Sequence, residues 1–180
     1  MSRFVDRLLT TAKTVGQRHG VVTGEPAAPV HTTWAEVHEQ AKRVAGALIN
    51  NGLGRHDSVA VLAAEPAAIG PAAQAVWLVG GSVTMLHQPT ARTDIAQWAA
   101  DTLRVLNMIG SKLVLLGAPF DQLAPVLDQQ GIGYLQVTSL DGGEPVSAVV
   151  VVRSDVIARV GPRRVARRHV RRERRCLGSS

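Results

Sequence analysis

Side chains able to do chemistry are few in this 180-residue chain, and their spacing argues against most of the sites they would build. His38-Glu39 has the first half of a zinc-binding helix pattern, but no second histidine follows four residues later. Position 42 is a lysine, which repels a cation. Both residues are therefore expected on the solvated face of a helix. His31, His56 and His87 fall in predicted loops between elements, where sites concentrate. None has a serine or cysteine nucleophile that spacing alone would pair with it: Ser58 opens a predicted strand and Cys176 lies near the C-terminus. Each of the three reads first as a polar turn residue. Gly52-Leu53-Gly54 runs into Arg55-His56-Asp57, without the third glycine and helix of a dinucleotide site, and Gly80-Gly81 reads as the end of a helix. No Gly-Lys-Ser/Thr phosphate loop occurs, and no carboxylate pair shares a predicted location. No catalytic, cofactor-binding or metal-binding residue is assigned.

The elements that would position these groups follow an alternating rhythm. Phe4, Leu8 and Val15 predict an amphipathic surface helix ending at Gly20, and Val21–Val30 is extended or turn-like because of Gly24, Pro26 and Pro29. Thr33 with Glu36 forms a capping box for a helix whose apolar stripe is Val37, Ala41, Val44, Ala45 and Leu48. Strands are predicted at Ser58–Ala63, Ser82–Leu86, Lys112–Leu116 and Gly133–Val137. Helices are predicted from Pro66 to Val79, from Asp94 to Ile109 with Thr93 as cap, and from Phe120 to Gln130. Strands alternating with helices of this length predict an α/β fold with a mostly parallel sheet. Leu140–Pro145 reads as a loop.

Charge divides the chain at that loop. Residues 1–145 carry 10 Lys+Arg against 12 Asp+Glu, a net −2, whereas residues 146–180 carry 10 arginines against two acids, a net +8. The mildly acidic body gives no reason to expect a nucleic-acid partner. Residues 1–145 are expected to form one partial domain and 146–180 an Arg-rich basic tail. Rhythm and composition change together there, after the short apolar run Val149–Val152. The tail reads as an out-of-frame translation of a GC-rich gene, or as a genuine basic arm. One cysteine excludes an internal disulfide, and no uninterrupted apolar stretch suits an export signal or a bilayer span, so a cytoplasmic location is expected.

Several segments of the body carry a family resemblance. They are His31-Thr-Thr-Trp34, Ala45-Gly-Ala-Leu48, Asn51-Gly-Leu-Gly54, Asp57–Leu62, and above all Gly81-Ser-Val-Thr-Met-Leu-His-Gln-Pro-Thr90 with Arg92-Thr-Asp94. In this order they resemble the N-terminal part of the acyl-adenylate-forming enzymes. The likeness is to the mycobacterial fatty-acid–AMP ligases and fatty acyl-CoA synthetases, in the long-chain acyl-AMP ligase branch. The resemblance implies an incomplete N-terminal part of the large domain. It also implies a parent activity that uses ATP and Mg²⁺ to activate a fatty acid as its acyl-adenylate, then passes it to a carrier-protein or coenzyme A thiol. Such chemistry needs a Gly/Ser/Thr-rich loop ending in Pro-Lys, a Glu for Mg²⁺, an Asp for the ribose and a distal Lys. The loop would begin soon after Pro145, where the tail stands, so no family residue carries over to a position here. The fragment is expected to bind no cofactor of its own and to be a truncated ligase, inactive alone and marginally stable; a further reading is a split enzyme, whose partner is the missing remainder if that is separately encoded. The alternative is a small interaction protein that binds nucleic acid or an acidic partner through the Arg-rich tail.

Overall fold

The computed structural model describes residues 3–142 and residue 145; the apolar run at 149–152, Cys176 and the Arg-rich tail lie outside the described residues. Helix α1 (Arg3–Thr14) leads into a hairpin of β1 (Gly20–Glu25) and β2 (Ala28–Thr33), then α2 (Trp34–Asn50). A βα succession follows: β3 (Ser58–Leu62), α3 (Pro66–Val79), β4 (Ser82–Met85), α4 (Ile95–Met108), β5 (Ser111–Leu116), a 3₁₀ turn (Phe120–Leu123), α5 (Ala124–Gln129) and β6 (Tyr134–Gln136). Strands β3 to β6 form one parallel sheet in the order β4-β3-β5-β6. The expected α/β class and the helix–strand alternation are observed.

The period-two alternation of β3 and β5 builds a core on each face. Val59, Val61, Leu113 and Leu115 point to α2 and α3, while Ala60, Leu62, Val114 and Leu116 point to α4 and the segment around α5. Burial on both faces explains why these strands read as continuous apolar runs. Thr33 caps α2 as expected: its hydroxyl accepts from the Glu36 N–H at 3.2 Å, and the Glu36 carboxylate accepts from the Thr33 N–H at 2.8 Å. Gly80, at φ +83°, ends α3 in the left-handed region that favours glycine.

Several expectations are corrected. Helix α1 stops at Thr14 and Gly20 opens β1, where a Cβ would meet the Thr32 carbonyl oxygen at 2.0 Å. The extended segment after it is a true hairpin that also contains His31, in β2 and not in a loop. The cap of α4 is Asp94, not Thr93: Asp94 Oδ1 accepts from the Ala96 and Gln97 N–H groups. The helix expected over 120–130 is split, because Pro125 sits in the first turn of α5 and the chain before it tightens into 3₁₀ geometry. Residues Val137–Gly142 are a 3₁₀ turn and not open loop, and its Leu140 is 2% exposed in the core beneath α2.

Candidate functional site

Parallel α/β sheets place ligand sites beyond the carboxyl ends of their strands. At that end the connections after β3 and β5 close on each other: the Ala64 N–H donates to the Ala118 carbonyl at 3.1 Å, and the Gly117 N–H to the Leu62 carbonyl at 2.9 Å. A Cβ on Gly117 would lie 2.9 Å from the Ala63 Cβ, so the two connections pack without a gap. The opening lies beside them, past β4. There a cleft of about 420 Å³ is bounded by Met85, Leu86 and His87, by Thr93 and Asp94, and by Gln97, Trp98, Asp101, Thr102 and Val105 of α4.

The segment 81–94 builds much of this cleft, and several of its polar groups have a structural task. Gly81 lets β4 start against the Asp57 carbonyl oxygen, which a Cβ would approach to 2.9 Å. Ser82 Oγ lies 3.1 Å from Ser58 Oγ in β3. The Leu86 N–H donates to the Val61 carbonyl at 2.9 Å, extending the ladder one residue past β4. Gln88 Nε2 then donates to the Ala63 carbonyl at 2.8 Å, tying the loop to the end of β3. A turn over Thr90–Thr93 is closed by the Thr90 N–H donating to Thr93 Oγ1 at 2.8 Å, and Asp94 caps α4. From α4, Trp98 Nε1 donates to the His87 carbonyl at 2.9 Å, and its ring lies 6.3 Å from that of Phe120.

One wall of the cleft is apolar (Met85, Leu86, Trp98, Val105) and the other is acidic or neutral. Asp101 accepts from Gln97 Nε2 at 3.0 Å and pairs with Arg104 at 2.7 Å. Asp94 is engaged by two backbone N–H groups. Among the described residues no lysine or arginine lines the cleft, so these residues do not fit a triphosphate, and its carboxylates are committed elsewhere and do not converge on a cation. Among the described residues, no group of three or more His, Cys, Asp or Glu side chains is arranged to hold a metal ion. The cleft suits an apolar body with a few neutral polar atoms.

The histidines do not assemble. His87 lines the cleft, whereas His56, at φ +69° in the turn before β3, lies at the opposite end of the sheet with Ser58 and Ser82. His31 is exposed on the hairpin. Glu39 is exposed and pairs with Lys42 at 2.6 Å, as a solvated face requires. His38 is the correction: it is 9% exposed and its Nδ1 lies 3.1 Å from Gln74 Oε1 of α3, itself 7% exposed. The helical offsets from His38 to Ala41, Ala45 and Leu48 were the available signal. Asp57 was also missed; it accepts from the Gly54 N–H at 2.7 Å and from Lys112 Nζ at 2.8 Å, locking the β3 entry to β5.

Residues 10–161 match the family described as AMP-binding enzyme. Rv1013 of Mycobacterium tuberculosis, which is named as a ligase, is 46% identical over 156 residues, covering 87% of this chain and 28% of that protein. The chain thus spans little more than a quarter of the curated relative it matches. Among solved structures, the AMP complex of O-succinylbenzoate coenzyme A synthetase from Bacillus subtilis superposes with a TM-score of 0.64 at 20% identity, covering 78% of this chain and 34% of that one. The fatty acyl-adenylate ligase of L. pneumophila gives a TM-score of 0.62 at 18% identity, covering 79% and 25%. At these identities the structural likeness establishes the fold alone.

Proposed function

The chain belongs to the AMP-binding enzyme family, and from that membership we propose that it is the N-terminal portion of a fatty-acid–AMP ligase. The parent reaction joins a fatty acid to AMP from ATP with Mg²⁺, then transfers the acyl group to a carrier-protein or coenzyme A thiol. The observation that carries the substrate class is the segment Gly81–Asp94. It bears the closest likeness to the acyl-AMP ligase branch, and it builds the cleft with an apolar wall. The solved relative from Bacillus subtilis binds ATP and magnesium ion, as its complex states. In this chain the cleft does not fit a triphosphate, and no Gly/Ser/Thr-rich loop ending in Pro-Lys occurs in the 180 residues. These 180 residues alone therefore supply scaffold and one wall of an acyl-sized cleft, and adenylate formation requires a remainder that brings the phosphate-binding groups.

The test is fatty-acid-dependent exchange of pyrophosphate into ATP, with Mg²⁺, by the purified chain alone and with a separately produced C-terminal remainder of the Mycobacterium tuberculosis relative. No exchange alone and exchange on mixing is the expected result. Exchange by the chain alone would overturn the dependence on a remainder. Exchange by the mixture with a non-fatty carboxylate in place of a fatty acid would overturn the substrate class.

Residues 146–180 form an Arg-rich segment after the 1–145 body, and the family match continues into it to residue 161. The segregation of charge, +8 after residue 145 against −2 before it, favours a second reading in which this segment binds nucleic acid or an acidic protein. A DNA complex whose affinity falls steeply with salt would support that reading, and no complex at low salt would remove it.

A further inference from the structure

We infer that α1 and the groove beside it form a docking surface for an anionic phospholipid bilayer. Helix α1 has no buried residue. It divides its apolar arc into two strips. Val5 and Leu9 pack against the core, while Phe4 and Leu8 open onto a groove of about 280 Å³ shared with Trp34 of α2. The two aromatics at the groove mouth stay wet, Phe4 at 53% and Trp34 at 37% exposure, and Phe4 stands edge-on to Trp77 with ring centroids 4.9 Å apart.

Charge supplies the partner's identity. Residues 1–18 carry four Lys+Arg against Asp6, a net +3, whereas residues 19–145 carry six against eleven, a net −5. Arg3, Arg7, Lys13 and Arg18 are all exposed, and Arg7 lines the groove. A short basic amphipathic helix with aromatic side chains at its apolar edge has the composition of an interfacial helix. Its rings sit at headgroup depth while the guanidinium groups reach lipid phosphates.

The assignment is independent of the ligase reading and is tested on the whole 180-residue chain with vesicles whose acyl chains are brominated, which quench tryptophan at short range. The Arg-rich tail also attracts anionic vesicles, but it contains no tryptophan, and Trp98 is buried on the opposite face of the sheet. Quenching in phosphatidylglycerol vesicles, reduced by Trp34→Phe to the share of Trp77 beside Phe4, abolished by Trp34→Phe with Trp77→Phe, and absent with phosphatidylcholine alone, is the expected result. Reversing Arg3, Arg7 and Lys13 to glutamate should weaken the quenched complex roughly tenfold or more while leaving α2 and the core intact. Co-sedimentation without quenching would assign binding to the tail and overturn the proposal. Quenching untouched by the charge reversals would do the same, and so would a chain that ignores vesicles, leaving the groove to be covered by the rest of a longer polypeptide.

Discussion

Nδ1 of His38 on α2 and Oε1 of Gln74 on α3 lie 3.1 Å apart in the interface that joins the two helices, each supplying the other's hydrogen bond. Both side chains are buried, so removing one partner strands the other. Gln74→Leu is expected to cost about 1–3 kcal/mol in urea unfolding, the penalty of an unsatisfied buried polar group. The double variant with His38→Leu should recover part of that loss. Strictly additive losses would show that the two groups are not coupled.

How far the sequence disclosed this architecture depends on the range of the interaction. Local devices were legible: the Thr33–Glu36 capping box, the Gly80 helix end and the apolar runs of β3 and β5 all act within a few residues. The hairpin was hidden because both faces of β1 and β2 are largely wet, leaving no alternation, and because Pro29 lies inside β2. Resemblance singled out the segment 81–94 but not its work. The bond from Gln88 to the Ala63 carbonyl spans 25 residues, and that from Trp98 to the His87 carbonyl joins a loop to a helix face. Such pairings depend on which strand neighbours which, and the order β4-β3-β5-β6 cannot be read from chain order.

Thr33→Ala removes the hydroxyl that accepts from the Glu36 N–H and should cost about 1 kcal/mol. The Thr33 backbone N–H, then its hydroxyl, hold the Glu36 carboxyl below its ordinary range. Because the folded-state value is the lower one, Glu36's contribution is complete above the usual glutamate range. It disappears as pH falls through that range and down through the lowered folded value. Glu36→Gln should therefore flatten part of the acid limb of a stability–pH curve; an unchanged limb would show that this pairing does not contribute.

Trp98→Phe keeps an aromatic ring against Phe120 but deletes the N–H that holds the His87 carbonyl. A loss of about 0.5–1.5 kcal/mol is expected. Faster amide exchange should be confined to residues 86–94. Exchange rising equally throughout the sheet would mean that the bond supports the core and not the cleft rim.

Gly81→Ala brings a Cβ to 2.9 Å from the Asp57 carbonyl oxygen and 3.1 Å from Val76 Cγ1, and neither the strand entry nor the end of α3 can retreat freely. A destabilisation of about 1–3 kcal/mol is expected, read from chemical unfolding. Gly52, whose added Cβ would meet nothing within 4 Å but whose φ is +84°, is the control, since only backbone strain opposes alanine there. If Gly81→Ala loses no stability, crowding at Gly81 is not the reason a glycine stands at that position.

The β4 edge is one place where the described residues leave this chain open to association with itself. Among the described residues no strand pairs with the outer side of β4, so its outward N–H and C=O groups have no ladder partner. The strand is short, which limits the liability, but Met85 at its end is 48% exposed and adds an apolar contact to the open backbone. An incoming strand would gain both hydrogen bonds and apolar burial there. Met85→Lys places a charge on that edge without touching the core, so its effect on unfolding should stay within about 0.5 kcal/mol. Its effect on association should be larger: the concentration at which sedimentation velocity first detects oligomers should rise several-fold, and the gain should shrink at high salt as the lysine is screened. If Met85→Lys and the parent chain associate at the same concentration, the β6 edge or the hairpin becomes the route, and lysine placed at exposed Val22 would then be the effective block.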